Sequence, residues 1–307
     1  MTSVSSLNSQ AVMTGYWAYR GASWLSRILP LSLAYGLGLR LADLFYVADR
    51  SGRRDLIRNL RHIHQAQGQT LDAAPLRRAA RRTYRHFGKY LVDFFRFGTV
   101  DSEWAAERIT VEHEQHLKDA VAAGRGVILA TAHFGNWELG GAVLASRGQR
   151  IHAVVLPYRS AKLERLFDHY RARRGIHTIP VGGAVRELIH HLNEKQMVAL
   201  LADRDFSGQQ HEAQFFGRSA SMPRGPAWLA VQTGAPILPA FMVRQEDDSF
   251  VLRFHPPLWP QELETEEGIR DRLCRILEEE IKGQPHQWFI FEDFWAPTTA
   301  VRGHRHE

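Results

Sequence analysis

From residue 126 onward, short apolar runs alternate with segments of helical periodicity. Residues 126–132, 152–158, 177–181, 197–203, 236–243 and 250–254 have the length and composition of strands, and 161–174, 184–195 and 225–233 carry helix-like patterns between them. That alternation predicts βαβ units and an α/β fold with a mostly parallel central sheet flanked by helices. Only residues 244–249 separate the last two strands, with Glu246-Asp247-Asp248 at their centre, so an antiparallel hairpin at one side of the sheet is expected. In 266–282, Ile269, Leu273, Ile276, Leu277 and Ile281 form one stripe, which predicts a helix packed on the sheet.

The first hundred residues follow a different rule. Residues 28–47 are apolar over about the length of a bilayer span, but Arg40 and Asp43 interrupt them. At i, i+3 these two can pair on one face and leave Leu37, Leu41, Leu44 and Phe45 on another, as in a helix lying at a membrane interface. A helix packed on the following domain and a membrane-spanning helix are the alternatives. Between 74 and 98 a second helix carries Arg77, Arg78, Arg81, Arg82 and Arg85, followed by Tyr84, Phe87, Tyr90, Leu91, Phe94 and Phe95. Its arginines suit either lipid headgroups or solvent. The pattern divides the chain into a polar, disordered start at 1–10 without signal-peptide character, a helical membrane-associating region at 11–100, a catalytic domain at 101–297 and a tail at 298–307.

A net charge of +6 points to an anionic partner: nucleic acid, anionic lipid headgroups or an acidic carrier protein. No zinc-finger, RNA-recognition or basic-zipper pattern supports nucleic acid. The single cysteine, Cys274, excludes an internal disulfide framework and a multi-cysteine zinc site. The chain also lacks H-E-x-x-H and G-x-S-x-G, which removes the metalloprotease and serine-hydrolase readings.

The candidate chemistry lies where the first predicted strand ends. In Gly126-Val-Ile-Leu-Ala-Thr-Ala-His133-Phe-Gly-Asn-Trp-Glu138, the strand should stop at His133, and Asn136 should cap a helix whose first turn carries Glu138. A carboxylate bonded to one imidazole nitrogen fixes the tautomer and frees the other nitrogen to accept a proton from a hydroxyl. Glu138 is the expected partner. Arg159 and Asp203 also lie just beyond predicted strand ends, the edge where open α/β sheets bind ligands. Asp203 and Asp205 flank Arg204, either to orient catalytic or substrate groups or to form a local salt bridge. Gly135 can admit a ligand close to the backbone or allow tight packing. Trp137 is expected in the core, and His190 and His191 on the surface.

His133-Phe-Gly-Asn-Trp-Glu138 resembles the H-x4-D/E motif of lysophospholipid and glycerolipid acyltransferases. Its wording is nearest to the bacterial branch that acylates lipid A precursors and phosphatidylinositol mannosides. Similar segments follow in order: Leu156-Pro-Tyr-Arg159, Ala202-Asp203-Arg204-Asp205, Phe215-Phe216-Gly217, Met222-Pro223-Arg224-Gly225-Pro226 and Thr233-Gly234-Ala235-Pro236-Ile237-Leu238-Pro239.

The resemblance implies a glycerolipid acyltransferase-like fold on the cytoplasmic face of the inner membrane, with no cofactor and no metal. It implies transfer of a fatty acyl group from acyl-CoA or acyl carrier protein to a hydroxyl of a lipid or glycolipid. His133 would be the base and Glu138 its charge partner, with substrate contacts at Arg159, Asp203, Asp205, Gly135, Asn136 and Arg224. The segment after Asp205 is expected as a catalytic loop covering the acyl chain. Residues 287–295 carry acids where the lipid A branch has a basic run, which weakens a lipid A assignment, and the 202–205 and 222–226 segments look nearer to the mannoside type. A lipid carrier and a thioesterase are the competing functions.

Overall fold

In the computed structural model, which describes residues 17, 19–96, 102–157, 160–181, 184–205, 211–263 and 265–296, the chain begins with a helical layer. It comprises 19–28 (α1), Leu31–Ala48 (α2), Arg50–Ala66 (α3) and Ala73–Arg96 (α4). The apolar segment expected as one helix from residue 28 is broken at Pro30, which cannot supply the amide hydrogen a continuous helix needs. The 1–10 and 298–307 assignments lie outside the described residues.

Helix α2 crosses α4 at two glycines. A Cβ on Gly88 would lie 2.8 Å from the Gly38 carbonyl oxygen, so neither position accepts a larger residue without moving the helices apart. Beside this crossing, Arg81 and Arg85 each donate two hydrogen bonds to Asp43, at 2.8 and 2.7 Å. These bonds hold the Asp43 carboxyl well below the usual range. The expected Arg40–Asp43 pair is therefore replaced: two planar guanidinium forks across the helix contact outcompete one side chain on the same exposed face. Two of the five arginines between Arg77 and Arg85 are thus occupied in clamping α2.

The sheet-bearing region follows as Ser102–Arg108 (α5), Ile109–Glu112 (β1), Glu114–Ala122 (α6), Val127–Thr131 (β2), Trp137–Ser146 (α7), Ile151–Val155 (β3), Ala161–Arg173 (α8), Ile176–Pro180 (β4), Ala184–Asn193 (α9) and Met197–Leu201 (β5). It continues with Glu212–Phe215 (β6), Arg218–Ser221 (β7), Gly225–Thr233 (α10), Ile237–Arg244 (β8), Phe250–Phe254 (β9), Pro260–Leu263 (α11) and Glu266–Gly283 (α12). Seven strands form one sheet in the order β1-β9-β8-β2-β5-β3-β4, parallel except for the β8–β9 pair.

Central strand β2 is apolar at nearly every position because both its faces are covered. Ile128 and Ala130 enter a core with Leu188, Leu229 and Leu277 of α9, α10 and α12. Val127 and Leu129 enter the opposite core with Leu117, Leu139 and Val143 of α6 and α7. Each such fully buried aliphatic side chain contributes roughly 1.5–3 kcal/mol.

Three expectations are corrected. The β8–β9 hairpin is antiparallel as expected, but β1 pairs along β9, so the hairpin lies inside the sheet rather than at its side. The four residues of β1 are too short and too polar to show as a strand in the sequence. Phe215, Phe216 and Gly217 belong to the β6–β7 hairpin, not to a loop. Phe216 and Gly217 both have positive φ, 52° and 71°, as a tight two-residue hairpin turn requires, and both phenylalanine rings are buried. His190 is exposed as expected, whereas the His191 ring stacks on His152 at 3.5 Å between centroids.

Candidate active site

The parallel register of β2 and β5 builds the site. Thr131 pairs with Leu201, and the Ala202 amide donates to the Thr131 carbonyl at 2.7 Å. Two residues beyond each partner stand His133 and Asp203, so the sheet itself brings them side by side. His133 Nδ1 lies 2.8 Å from Asp203 Oδ1, and the His133 amide donates to Oδ2 at 2.9 Å. A third donor, Trp288 Nε1, reaches Oδ2 at 2.9 Å.

Asp203 is completely buried. Burial alone would raise its pKa, but the His133 ring and the hydrogen bonds from His133 and Trp288 outweigh that cost and lower it. An ionised Asp203 fixes the proton on Nδ1 and leaves Nε2 as the basic nitrogen. The His133 side chain retains 18% exposure, enough for a substrate hydroxyl to approach.

Glu138 has a different hydrogen-bond partner from the one expected. Its Oε1 accepts from Arg171 Nε at 2.9 Å and Nη2 at 2.7 Å, and the pair is buried between α7 and α8. His133 leaves the end of β2 beside β5, whereas Glu138 sits in the first turn of α7 against α8. The two motif residues therefore serve different neighbours. Asn136 does cap α7, accepting from the Leu139 amide at 3.2 Å.

Gly135 carries φ 61°, and a Cβ there would fall 2.0 Å from the Met242 carbonyl oxygen. This glycine is required by packing against β8 rather than by an approaching ligand. Asp205 accepts from the Ser221 hydroxyl at 3.2 Å. Arg224 is exposed and pairs with Glu266, Nη2 to Oε2 at 2.9 Å. Arg204 pairs with Glu292 of the C-terminal segment at 2.6 Å. Arg159 lies outside the described residues.

Trp288 is the site residue that sequence reasoning missed. The returning segment is strapped to the turn that carries His133: the Gly135 amide donates to the Gln287 carbonyl at 2.9 Å, and the Phe289 amide donates to the His133 carbonyl at 2.8 Å. The aromatic run 287–295 was its signal, visible in sequence but weighed there only for its acids. An aromatic wall flanks the imidazole. The Trp137 ring lies 5.5 Å from His133 and stacks on Tyr90 of α4 at 4.4 Å, with Phe289 at 6.1 Å. Trp137 is half-buried beside the site rather than deep in the core.

A second polar centre adjoins this one. Asp93 of α4, also completely buried, accepts from Tyr35 Oη at 2.6 Å and Asn136 Nδ2 at 2.9 Å, and pairs with Arg244 of β8. Although burial opposes the Arg244 charge, the Asp93 carboxylate outweighs it and raises the guanidinium pKa. The centre ties α2 and α4 to the cap of α7. Cys274 is buried, and burial pushes its thiol up to about 12, which disqualifies it as a nucleophile. Among the described residues no group of three or more His, Cys, Asp or Glu could hold a metal ion.

Residues 4–296 match the family of bacterial lipid A biosynthesis acyltransferases. The chain is 30% identical over 303 residues to the phosphatidylinositol mannoside acyltransferase of Mycolicibacterium smegmatis, covering 94% of this chain and 93% of that protein. It is 33% identical over 233 residues to the protein of the same name from Mycobacterium tuberculosis, covering 73% and 71%. Similarity to the lipid A biosynthesis acyltransferase of Haemophilus influenzae is 23% over 146 residues, 47% of this chain and 46% of that one.

Proposed function

Because the chain belongs to the bacterial lipid A biosynthesis acyltransferase family and is an acyl-transferring enzyme, we propose that it moves a fatty acyl group from an acyl-CoA or acyl carrier protein thioester to a hydroxyl of a membrane glycolipid. The observation that carries this reading is the hydrogen bond from His133 to the buried Asp203. His133 Nε2 takes the proton of the acceptor hydroxyl as its oxygen attacks the thioester carbonyl carbon. Asp203 stabilises the imidazolium and holds its orientation. Collapse of the tetrahedral oxyanion breaks the carbon–sulfur bond, and the imidazolium returns the proton to the departing thiolate. The products are an oxygen ester and a free thiol, with no covalent enzyme intermediate.

The aromatic wall of Trp137, Tyr90 and Phe289 suits an acyl chain lying beside His133. Arg159 is assigned to a phosphate or carbonyl oxygen of the substrate. A glycolipid of the phosphatidylinositol mannoside type is favoured as acceptor, since the relatives matched over most of their length carry that name. Membrane association is supported by α2, which is long and apolar enough to span a bilayer and is only 17% buried. Its outer face presents Leu37, Leu41, Leu44 and Phe45, as the sequence pattern anticipated.

The test is incubation of purified protein with labelled acyl thioester and membrane lipid extract. Acylated lipid should appear and fall by about 10²- to 10⁴-fold in His133→Ala, while thermal stability is kept. Thioester loss without acylated lipid would replace the reading with hydrolysis, and an undiminished rate in His133→Ala would remove His133 as the base.

A further inference from the structure

Away from the imidazole, a cleft of about 620 Å³ opens between α1 and α8. Its lining is Trp17 and Arg20 on one side and Lys162, Arg165, Leu166 and His169 on the other. The α8 residues stand at i, i+3, i+4 and i+7, so one helical face supplies all of them. Two arginines, one lysine and one histidine converge there, and no carboxylate is among the described lining residues. Such a charge set suits a phosphate group.

The walls are fixed before any ligand arrives. Tyr19 of α1 packs against Phe95 and Phe167 at 5.8 and 5.6 Å, and the Ser23 and Tyr170 hydroxyls are hydrogen-bonded. Arg96 Nη1 donates to the Ser26 and Leu29 carbonyls, each at 2.6 Å. Neither His133 nor Asp203 lines the cleft, so it is separate from the catalytic centre.

The rim decides which phosphate it takes. Trp17 is 60% exposed, and the exposed apolar side chains continue through Trp24 and Ile28 of α1 into Leu33, Leu37, Leu41, Leu44 and Phe45 of α2. A soluble phosphate compound has no use for such a border. An amphiphile does: tryptophan favours the headgroup level of a bilayer, and apolar side chains favour the acyl layer beneath it. We propose that the cleft between α1 and α8 is a second, non-catalytic site, which takes the headgroup phosphate of an anionic membrane lipid and seats the enzyme on the bilayer. This rests on the reading that the enzyme works at a membrane, but not on the identity of its base.

Flotation of the full chain with phosphatidylcholine vesicles, with and without phosphatidylglycerol, tests it. The double variant Lys162→Gln/Arg165→Gln removes two charges at exposed positions while leaving polar side chains there, and it should weaken binding to the anionic vesicles by roughly 30-fold. A charge-matched control on the exposed face of α12, Arg272→Gln/Arg275→Gln, should change it less than about 3-fold. Equal losses in both pairs would mean diffuse attraction and overturn the site, as would no loss in the cleft pair. Loss of coenzyme A binding with vesicle binding intact would assign the cleft to a soluble phosphate and also overturn the proposal. His133→Ala should bind vesicles fully, so a failed catalytic assignment is told apart from a failed lipid site.

Discussion

Two completely buried aspartates stand on either side of the turn that begins α7, and they do opposite things. Each is satisfied by several donors: Asp203 by His133 and Trp288, Asp93 by Tyr35, Asn136 and Arg244. The difference lies in the cationic partner. Arg244 is permanently charged and its side chain is 4% exposed, so its pair can only hold α2, α4 and β8 together. His133 carries an imidazole instead of a guanidinium, and its side chain remains 18% exposed. Burial of the carboxylate therefore does not distinguish the two centres; the exposure of the partner does.

The largest expected effect breaks this comparison at its catalytic end. Asp203→Asn should lower turnover by about 10²- to 10⁴-fold, because the amide no longer stabilises the imidazolium. Glu138→Gln should lose far less turnover per folded molecule, since its partner is Arg171. Reversal of that order in parallel assays would return the orienting role to Glu138. Next, Asp93→Ala should cost up to about 3–5 kcal/mol in urea denaturation, because the buried Arg244 charge would keep only the Asp248 carboxylate, 3.2 Å from Nη1. If it instead matched Asp203→Asn in turnover at unchanged stability, the two centres would not be distinct.

Smaller effects sharpen the contrast. Trp288→Phe keeps an aromatic ring but removes the donor to Asp203, and a charged hydrogen bond of this kind is worth about 1.5–3 kcal/mol. The loss should appear in kcat more than in KM. Beside the closed centre, His86 and His286 have rings 4.7 Å apart. Burial, then the charges of Arg244, Arg82 and Lys89, lowers His86 to about 3; burial, then His86 and Arg82, lowers His286 to about 3. The unfolded chain protonates these imidazoles near pH 6.5, so it binds more protons than the folded chain below that pH. Stability should accordingly be full above about pH 6.5 and fall toward pH 3, by at most about 1.4 kcal/mol per pH unit for each imidazole. His86→Leu should flatten that slope, and an unchanged slope would place the acid sensitivity elsewhere.

Local pattern was legible in the sequence wherever one element decides it. The apolar strand of β2, the Asn136 cap, the stripe of α12, helix α10 over Gly225–Thr233 and the exposed face of α2 follow from spacing along the chain. Periodicity and capping act within a few residues, so the sequence alone determined them. Choices between elements needed the tertiary structure. Asp43 takes Arg81 and Arg85 because two helices cross at glycines. The β8–β9 hairpin lies inside the sheet because four weakly patterned residues of β1 add a strand beside it. His133 meets Asp203, 70 positions away, rather than Glu138, because parallel strand register aligns the ends of β2 and β5 while the helical turn directs Glu138 toward α8. Spacing along the chain sets which face a side chain takes, but only the pairing of distant strands sets what it meets there.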